Sequence, residues 1–299
     1  MQYKRIKRNI NGVLLLDKPI GFSSNQALQK VKWLFQAVKA GHTGTLDPLA
    51  TGLLPVCLGE ATKFAQYVTD ANKTYVANIK LGIKTTTGDA EGEVISTKSV
   101  NVTPIQLETA CQQFLGKISQ IPPMYSALKH EGKALYEYAR AGINIERSAR
   151  QVSIESLMLN KHSGDDVVLT ITCSKGTYIR TLAEDIGAVL GCDAHLTGLR
   201  RTETAGYDIA QAVNIQQLED MTMEARDALL LPVDSAIEHL PKVMLDAVAA
   251  QFFKQGQAVW QAGITVNAEL RVYEEKGLFL GLGKRLDDGK IAPKRLVNL

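Results

Sequence analysis

Gly41-His42-Thr43-Gly44-Thr45-Leu46-Asp47-Pro48-Leu49-Ala50-Thr51-Gly52-Leu53-Leu54-Pro55 is the densest stretch of the chain. It has neither the alternation of a strand nor the spacing of a helix, and its glycines, threonines and prolines predict a loop over residues 41–59. Three glycines let the backbone approach another molecule closely, and Pro48 biases Asp47 towards extended geometry. The string therefore presents one carboxylate on a stiff loop. A plain Asp-Pro turn with hydroxyl caps explains a dipeptide, but not fifteen residues of this composition.

Working outward, Val13–Leu16 followed by Asp17-Lys18-Pro19 reads as a short buried strand entering a turn. Ser23 and Ser24 are cap candidates for a helix whose apolar face holds Ala27, Leu28, Val31, Leu34, Phe35 and Val38. A second helix is expected over Ala61–Val68. Thr74–Leu81 alternates, with Tyr75, Ala77, Ile79 and Leu81 on one face. Thr103-Pro104 starts a helix with Leu107, Ala110, Cys111, Phe114 and Leu115 inward, closed by Gly116. Val167–Cys173 is again strand-like, Gly176 breaks it, and Leu182–Leu190 returns to helical spacing. After Pro241 the texture becomes short strands with tight turns at Gly277 and Asp288-Gly289.

At 299 residues the chain has room for about two domains. Hydrophobic residues at 45% and charged residues at 22% exclude a wholly disordered chain. The net charge of +3 names no partner, but its placement is informative. Residues 208–238, read as a mostly helical bridge, hold seven acids and one base, leaving +9 for the rest. Bases gather at the N-terminus (Lys4, Arg5, Lys7, Arg8), near the C-terminus (Lys284, Arg285, Lys290, Lys294, Arg295) and across 122–151, where tyrosines interleave with them. That last stretch is poor core material and suits an arm lying on a polyanion. Cys57, Cys111, Cys173 and Cys192 are far apart with no CxxC, which fits a reducing compartment. No apolar run is long enough for a signal peptide or a membrane span, so a cytoplasmic protein is expected.

The 41–55 string resembles the tRNA pseudouridine synthases that modify uridine 55 of the T arm. Matching segments follow in order: Gly12-Val13 to Asp17-Lys18-Pro19 and Gly21; Lys73-Thr74-Tyr75 with Leu81-Gly82, Asp89 and Gly92; Gln120-Ile121-Pro122-Pro123 with Ser126-Ala127; Gly176-Thr177-Tyr178-Ile179-Arg180; and Leu196-Thr197 to Leu199-Arg200-Arg201. The likeness covers about residues 11–210, with no departure at a position the chemistry needs. It implies an α+β fold. A catalytic domain over 1–238 would have a mixed, largely antiparallel sheet flanked by helices and an RNA-binding insertion at about 122–151. A small β-rich PUA-like domain would occupy 239–299, with Lys284, Arg285, Lys294 and Arg295 on phosphates.

The resemblance also implies roles. The reaction breaks the bond from ribose C1′ to uracil N1, turns the ring and bonds C1′ to C5, so it consumes no cofactor and asks for one carboxylate. Asp47 matches the catalytic aspartate. Arg180 matches the arginine that opposes the cost of an ionised carboxylate in a dry pocket; its plainer reading is a surface arginine at a helix start. The base must be flipped out of a stacked loop. Tyr75 matches the residue that stacks on the uracil, or is a core tyrosine. His42 matches the residue that fills the vacated space. Tyr178 and Leu199 match pocket-lining positions and Lys18 the pocket floor, although Tyr178 could pack under the loop and Lys18 could hold its own turn. The implied substrate is the T-arm stem-loop of tRNA, bound by a monomer with no obligatory protein partner.

Two other classes remain open on the residues alone. An RNA-binding or RNA-folding protein of the same fold would need the basic arm and tail but not Asp47. A carboxylate hydrolase would want a second acid, and the only neighbour, Asp89, sits in what reads as a turn. The five histidines (His42, His130, His162, His195, His239) show no metal-ligand spacing.

Overall fold

The computed structural model describes residues 7–263 and 268–299; Lys4 and Arg5 of the basic N-terminus lie outside them. The chain begins β1 (Gly12–Lys18), α1 (Ser24–Leu34), β2 (Ala40–His42), β3 (Ala50–Leu58), a 3-10 turn (Gly59–Lys63), α2 (Ala65–Asp70) and β4 (Lys73–Leu81). A small hairpin, β5 (Ile83–Thr85) and β6 (Val94–Thr97), precedes α3 (Pro104–Gln112) and β7 (Gly116–Gln120). The arm holds β8 (Lys129–His130), β9 (Lys133–Ala134) and α4 (Leu135–Arg140). The chain then returns through β10 (Arg150–Ser163), β11 (Asp166–Cys173), α5 (Ile179–Val189), β12 (Ala194–Thr204) and β13 (Tyr207–Asp208). The acidic stretch supplies β14 (Val213–Asn214), α6 (Ile215–Asp220) and α7 (Met223–Asp227). Last come β15 (Lys242–Leu245), α8 (Ala247–Lys254), β16 (Val259–Trp260), β17 (Glu269–Glu274), β18 (Phe279–Arg285) and β19 (Lys290–Leu296).

The main sheet runs β14-β1-β3-β12-β4-β11-β10-β7, with β2 beside β3 and β13 beside β12. It is mixed and largely antiparallel: the pairs β1–β14 and β3–β12 are parallel. On β4, Tyr75, Ala77, Ile79 and Leu81 face the core as the alternation requires. α1 begins at a full capping box, with Ser23 and Gln26 satisfying each other's backbone N–H groups. Thr103 and Gln106 do the same for α3.

The expected 41–59 loop is corrected, since only residues 43–49 are irregular, 41–42 and 50–58 are strand, and Gly59 opens the 3-10 turn. Gly52 is there because a Cβ would lie 2.3 Å from the Arg201 carbonyl oxygen of neighbouring β12. Pro55 accepts from Thr43 N–H on the β2 side, so its own missing N–H points the same way and costs no bond to β1. Other corrections are local. α1 stops at Leu34, Gln36 takes φ +52°, and Val38 lies exposed beyond the helix. The helix expected over Ala61–Val68 is a 3-10 turn followed by α2. α3 ends before Phe114 and Leu115, and Leu115 is exposed. The acidic bridge is more than helices, because β14 extends the main sheet against β1.

The second sheet, β15-β17-β18-β19-β16, is packed against α8. The two hairpins at Gly277 and Gly289 are present; β15 and α8 are additions that the turn signals did not reveal. Phe64, Val68 and Tyr207 share a buried cluster with Tyr273, Phe279 and Leu282, and the Phe64 and Phe279 rings are 5.7 Å apart. Lys63 Nζ donates to the Leu296 carbonyl and Asn298 N–H to Glu60, so the C-terminal sheet is docked on α2 and the turn before it.

Candidate active site

The loop bearing Asp47 is tied down on every side by backbone bonds. Ser24 at the start of α1 accepts from Leu46 N–H at 2.8 Å and donates to Leu46 carbonyl at 3.0 Å. Thr43 N–H reaches Pro55, Gly21 N–H reaches Pro48, and Ala50 N–H closes onto the Asp47 carbonyl. Below the loop lies Arg201, 1% exposed, donating to Leu53 and Gly44 carbonyls at 2.7 and 3.2 Å. Gly44, at φ +80°, leaves room for that guanidinium. The result holds Asp47 still with its carboxylate outward, its side chain 43% exposed.

Arg180 is 6% exposed and is no surface cap. Its Nη2 lies 3.0 Å from Asp47 Oδ2, and its Nη1 lies 3.5 Å from Asp89 Oδ2. It also donates to Thr87 and Tyr125 carbonyls at 3.1 and 2.7 Å. Asp89 does sit in a turn, but it is buried and accepts from Thr87 hydroxyl and Glu91 N–H. Its importance was not visible in the Thr-Thr-Gly-Asp setting, because its partner lies ninety-odd residues away. The buried guanidinium of Arg180 thus lies between two carboxylates, Asp89 buried and Asp47 facing the cleft, and removing either would leave it with a charge less well compensated.

These groups open into a cleft of about 490 Å³ whose walls include His42, Leu46, Asp47, Asp89, Tyr136 and Arg180. A larger cavity of about 1010 Å³ between α2 and β19 contains none of the motif residues. His42 has its Nδ1 buried without a hydrogen-bond partner. Burial first, and Arg201 second, lower its pKa from the ordinary 6.5, so the ring is neutral at pH 7.

Lys18, Tyr75, Tyr178 and Leu199 are not among the described residues lining that cleft. Tyr75 is buried in the main core, and burial, only partly offset by Arg201, raises its phenol so that it stays protonated. Tyr178 precedes α5 and is likewise raised by burial. Leu199 pairs in register with Ala50, three residues past Asp47. Lys18 is fully buried and donates to Pro19 and Phe22 carbonyls, which makes it the pin of its own turn. Burial lowers it to about 8, with Asp47 pulling the other way. Lys73, whose Nζ reaches the carbonyls of Val68, Thr69 and Ala71 at the end of α2, is also lowered to about 8 by burial and by Arg201. Lys18, Lys73 and Arg201 thus form a buried positive floor. The Arg-Arg pair at 200–201 hinted at Arg201, but alternation could not say which arginine turned inward.

Three family models match successive stretches of the chain. Residues 32–179 match the family described as "TruB family pseudouridylate synthase (N terminal domain)". Residues 180–238 match "tRNA pseudouridylate synthase B C-terminal domain", and residues 241–297 match "Pseudouridine synthase II TruB, C-terminal". The chain is 58% identical to the tRNA pseudouridine synthase B of Methylobacillus flagellatus over 99% of its own length and 98% of that protein's. It is 52% identical to the protein of the same name from Stutzerimonas stutzeri, covering 99% and 98%. Among solved structures, the one titled "Crystal Structure of a Cbf5-Nop10-Gar1 Complex" superposes with a TM-score of 0.72 at 28% identity, covering 96% of this chain and 84% of that one.

Proposed function

The chain belongs to the TruB family of pseudouridylate synthases, and from that membership we propose how its residues divide the work. It is an isomerase that converts uridine 55 in the T arm of tRNA to pseudouridine. The single observation that carries the assignment of residues is the Asp47 carboxylate held outward in the cleft, 3.0 Å from buried Arg180. Asp47 acts on the flipped nucleotide, and the Arg180 guanidinium stays against its carboxylate as water leaves. Asp89 fixes Arg180 from the far side. Flipping costs a few kcal/mol. Neutral His42 fits the vacated stack without bringing a charge into it. Tyr75, Tyr178 and Leu199, which do not line the cleft, would meet the base only once RNA is bound, and Lys18 with Arg201 favours negative charge on the detached ring.

In this reading the 122–151 arm grips the T-arm stem-loop, and residues 239–299 form a PUA-like domain. Lys284, Arg285 and Arg295 meet phosphates there, while Lys294 is already paired with Glu269. The protein works as a cytoplasmic monomer without a protein partner, metal or cofactor. Among the described residues no helix is long and apolar enough to cross a membrane.

The test is to incubate the protein with an unmodified tRNA transcript and map pseudouridine by position. Modification at position 55 that disappears in Asp47→Asn supports the reading. Tight binding with no modification by the wild-type protein would leave an RNA-folding protein instead.

A further inference from the structure

The arm and Arg180 are joined through a side chain outside both the motif loop and the cleft wall. β7 ends at Gln120, whose register partner is Arg150 on β10, so these two residues close the root of the excursion over 121–149. Gln120 is 2% exposed. Its amide grips one backbone unit in both directions: Tyr178 N–H donates to Oε1 at 3.1 Å, and Nε2 donates to the Tyr178 carbonyl at 3.3 Å.

Tyr178 is the residue before α5, and its side chain makes no cap bond. In a capping box, a Glu or Gln at the third helical position reaches back to the N–H of the cap residue. Here that position is Thr181, and Gln120 makes this bond from another strand. Arg180 is two residues further on. Its guanidinium donates to the Tyr125 carbonyl inside the arm while it faces Asp47. The arm is therefore tied to the start of α5 twice, at its root through Gln120 and inside through Tyr125. A shift of the root moves the α5 backbone and, with it, Arg180.

We propose that Gln120 is a positioning residue that couples the seating of the arm on RNA to the placement of Arg180 against Asp47. The inference rests on reading Asp47 and Arg180 as the reacting pair and the arm as an RNA contact.

Gln120→Met keeps the length of the side chain and removes both bonds; Gln120→Glu keeps the acceptor for Tyr178 N–H and loses the donor to its carbonyl. Each variant is compared with wild type for thermal unfolding, for binding of an unmodified tRNA transcript, and for the single-turnover rate of pseudouridine formation at saturating protein. The Gln120→Met rate should fall roughly ten- to a hundredfold, with Kd within about threefold of wild type. Gln120→Glu sets a carboxylate oxygen against the Tyr178 carbonyl when ionised and restores both bonds when protonated, so its rate relative to wild type should recover as pH falls, which a purely space-filling role does not predict and which tests the inference if the Met variant does not fold. A Gln120→Met rate equal to wild type overturns the proposal. So does a Kd weakened by the same factor as the rate is slowed, because Gln120 would then serve binding alone. A wild-type protein inactive on the transcript sinks the underlying reading, and this inference with it.

Discussion

Residues 41–55 and residues 122–151 look alike in one respect: neither has a hydrophobic period. In the structure they are opposites. The first is wedged between β1, β12 and the buried guanidinium of Arg201, with Thr43, Leu53 and Leu54 fully buried. The second buries only Pro122, Ser126 and Leu135 among its residues and is held mainly by its own hairpin and short helix. Irregular sequence thus marks two physical situations: a loop pinned by hydrogen bonds to distant strands and buried side chains, and a surface segment whose charged side chains are mostly exposed. The first should govern rate and the second affinity.

The harshest way to break that contrast is Asp47→Asn. Pseudouridine formation on a T-arm hairpin should fall by more than about a thousandfold while Kd stays within about tenfold; nucleoside analysis after long incubation measures the first and filter binding the second. An active variant would mean that the rigid loop carries another nucleophile. Arg180→Ala comes next. It removes the cation from between Asp47 and Asp89, and the single-turnover rate should drop roughly a hundredfold, with Arg180→Lys recovering part of it.

On the arm, reversing both Arg147 and Arg150 to Glu should weaken RNA binding about tenfold and flatten the salt dependence of log Kd by about two. The rate of already bound RNA should fall far less than in Asp47→Asn. An unchanged salt slope would place the contact surface elsewhere.

The smallest effect concerns the floor. Lys18, lowered to about 8 by burial, binds a proton less readily when folded than at its ordinary 10.5. Its charge therefore costs stability at pH 7, and that cost is relieved as pH rises from about 8 towards 10.5. Unfolding midpoints should rise by a few degrees between about pH 7 and pH 9, and by less in Lys18→Met, where Lys73, also lowered to about 8, still contributes in the same direction. The difference between the two proteins is the quantity to follow, because the thiols of Cys57, Cys111 and Cys173, raised by burial, act in the opposite direction above about pH 9.

Much of this arrangement was legible in advance because local chemistry signals itself locally. Alternation marked β4 and its inward Tyr75, and the capping residues Ser23 and Thr103 marked two helix starts. Asp47 stood out because an Asp-Pro flanked by glycines is rare. Gly52 and Pro55 misled for the same reason they are present. Both are turn residues by local preference, yet one clears space for the Arg201 backbone and the other sits where no strand N–H was needed.

The arginine expected to meet the carboxylate rested on the family resemblance, whereas the sequence by itself determined the order and kind of most elements, the carboxylate on its loop, and the basic segments. Those follow from short-range rules and from side-chain chemistry that does not depend on neighbours. Only the tertiary structure decided that Asp89 shares Arg180, that Arg201 rather than Arg200 turns inward, that Lys18 pins its own turn, and that Gln120 binds the backbone at Tyr178. Each of these depends on desolvation and on partners brought together from distant strands, and a buried polar group is defined by what surrounds it.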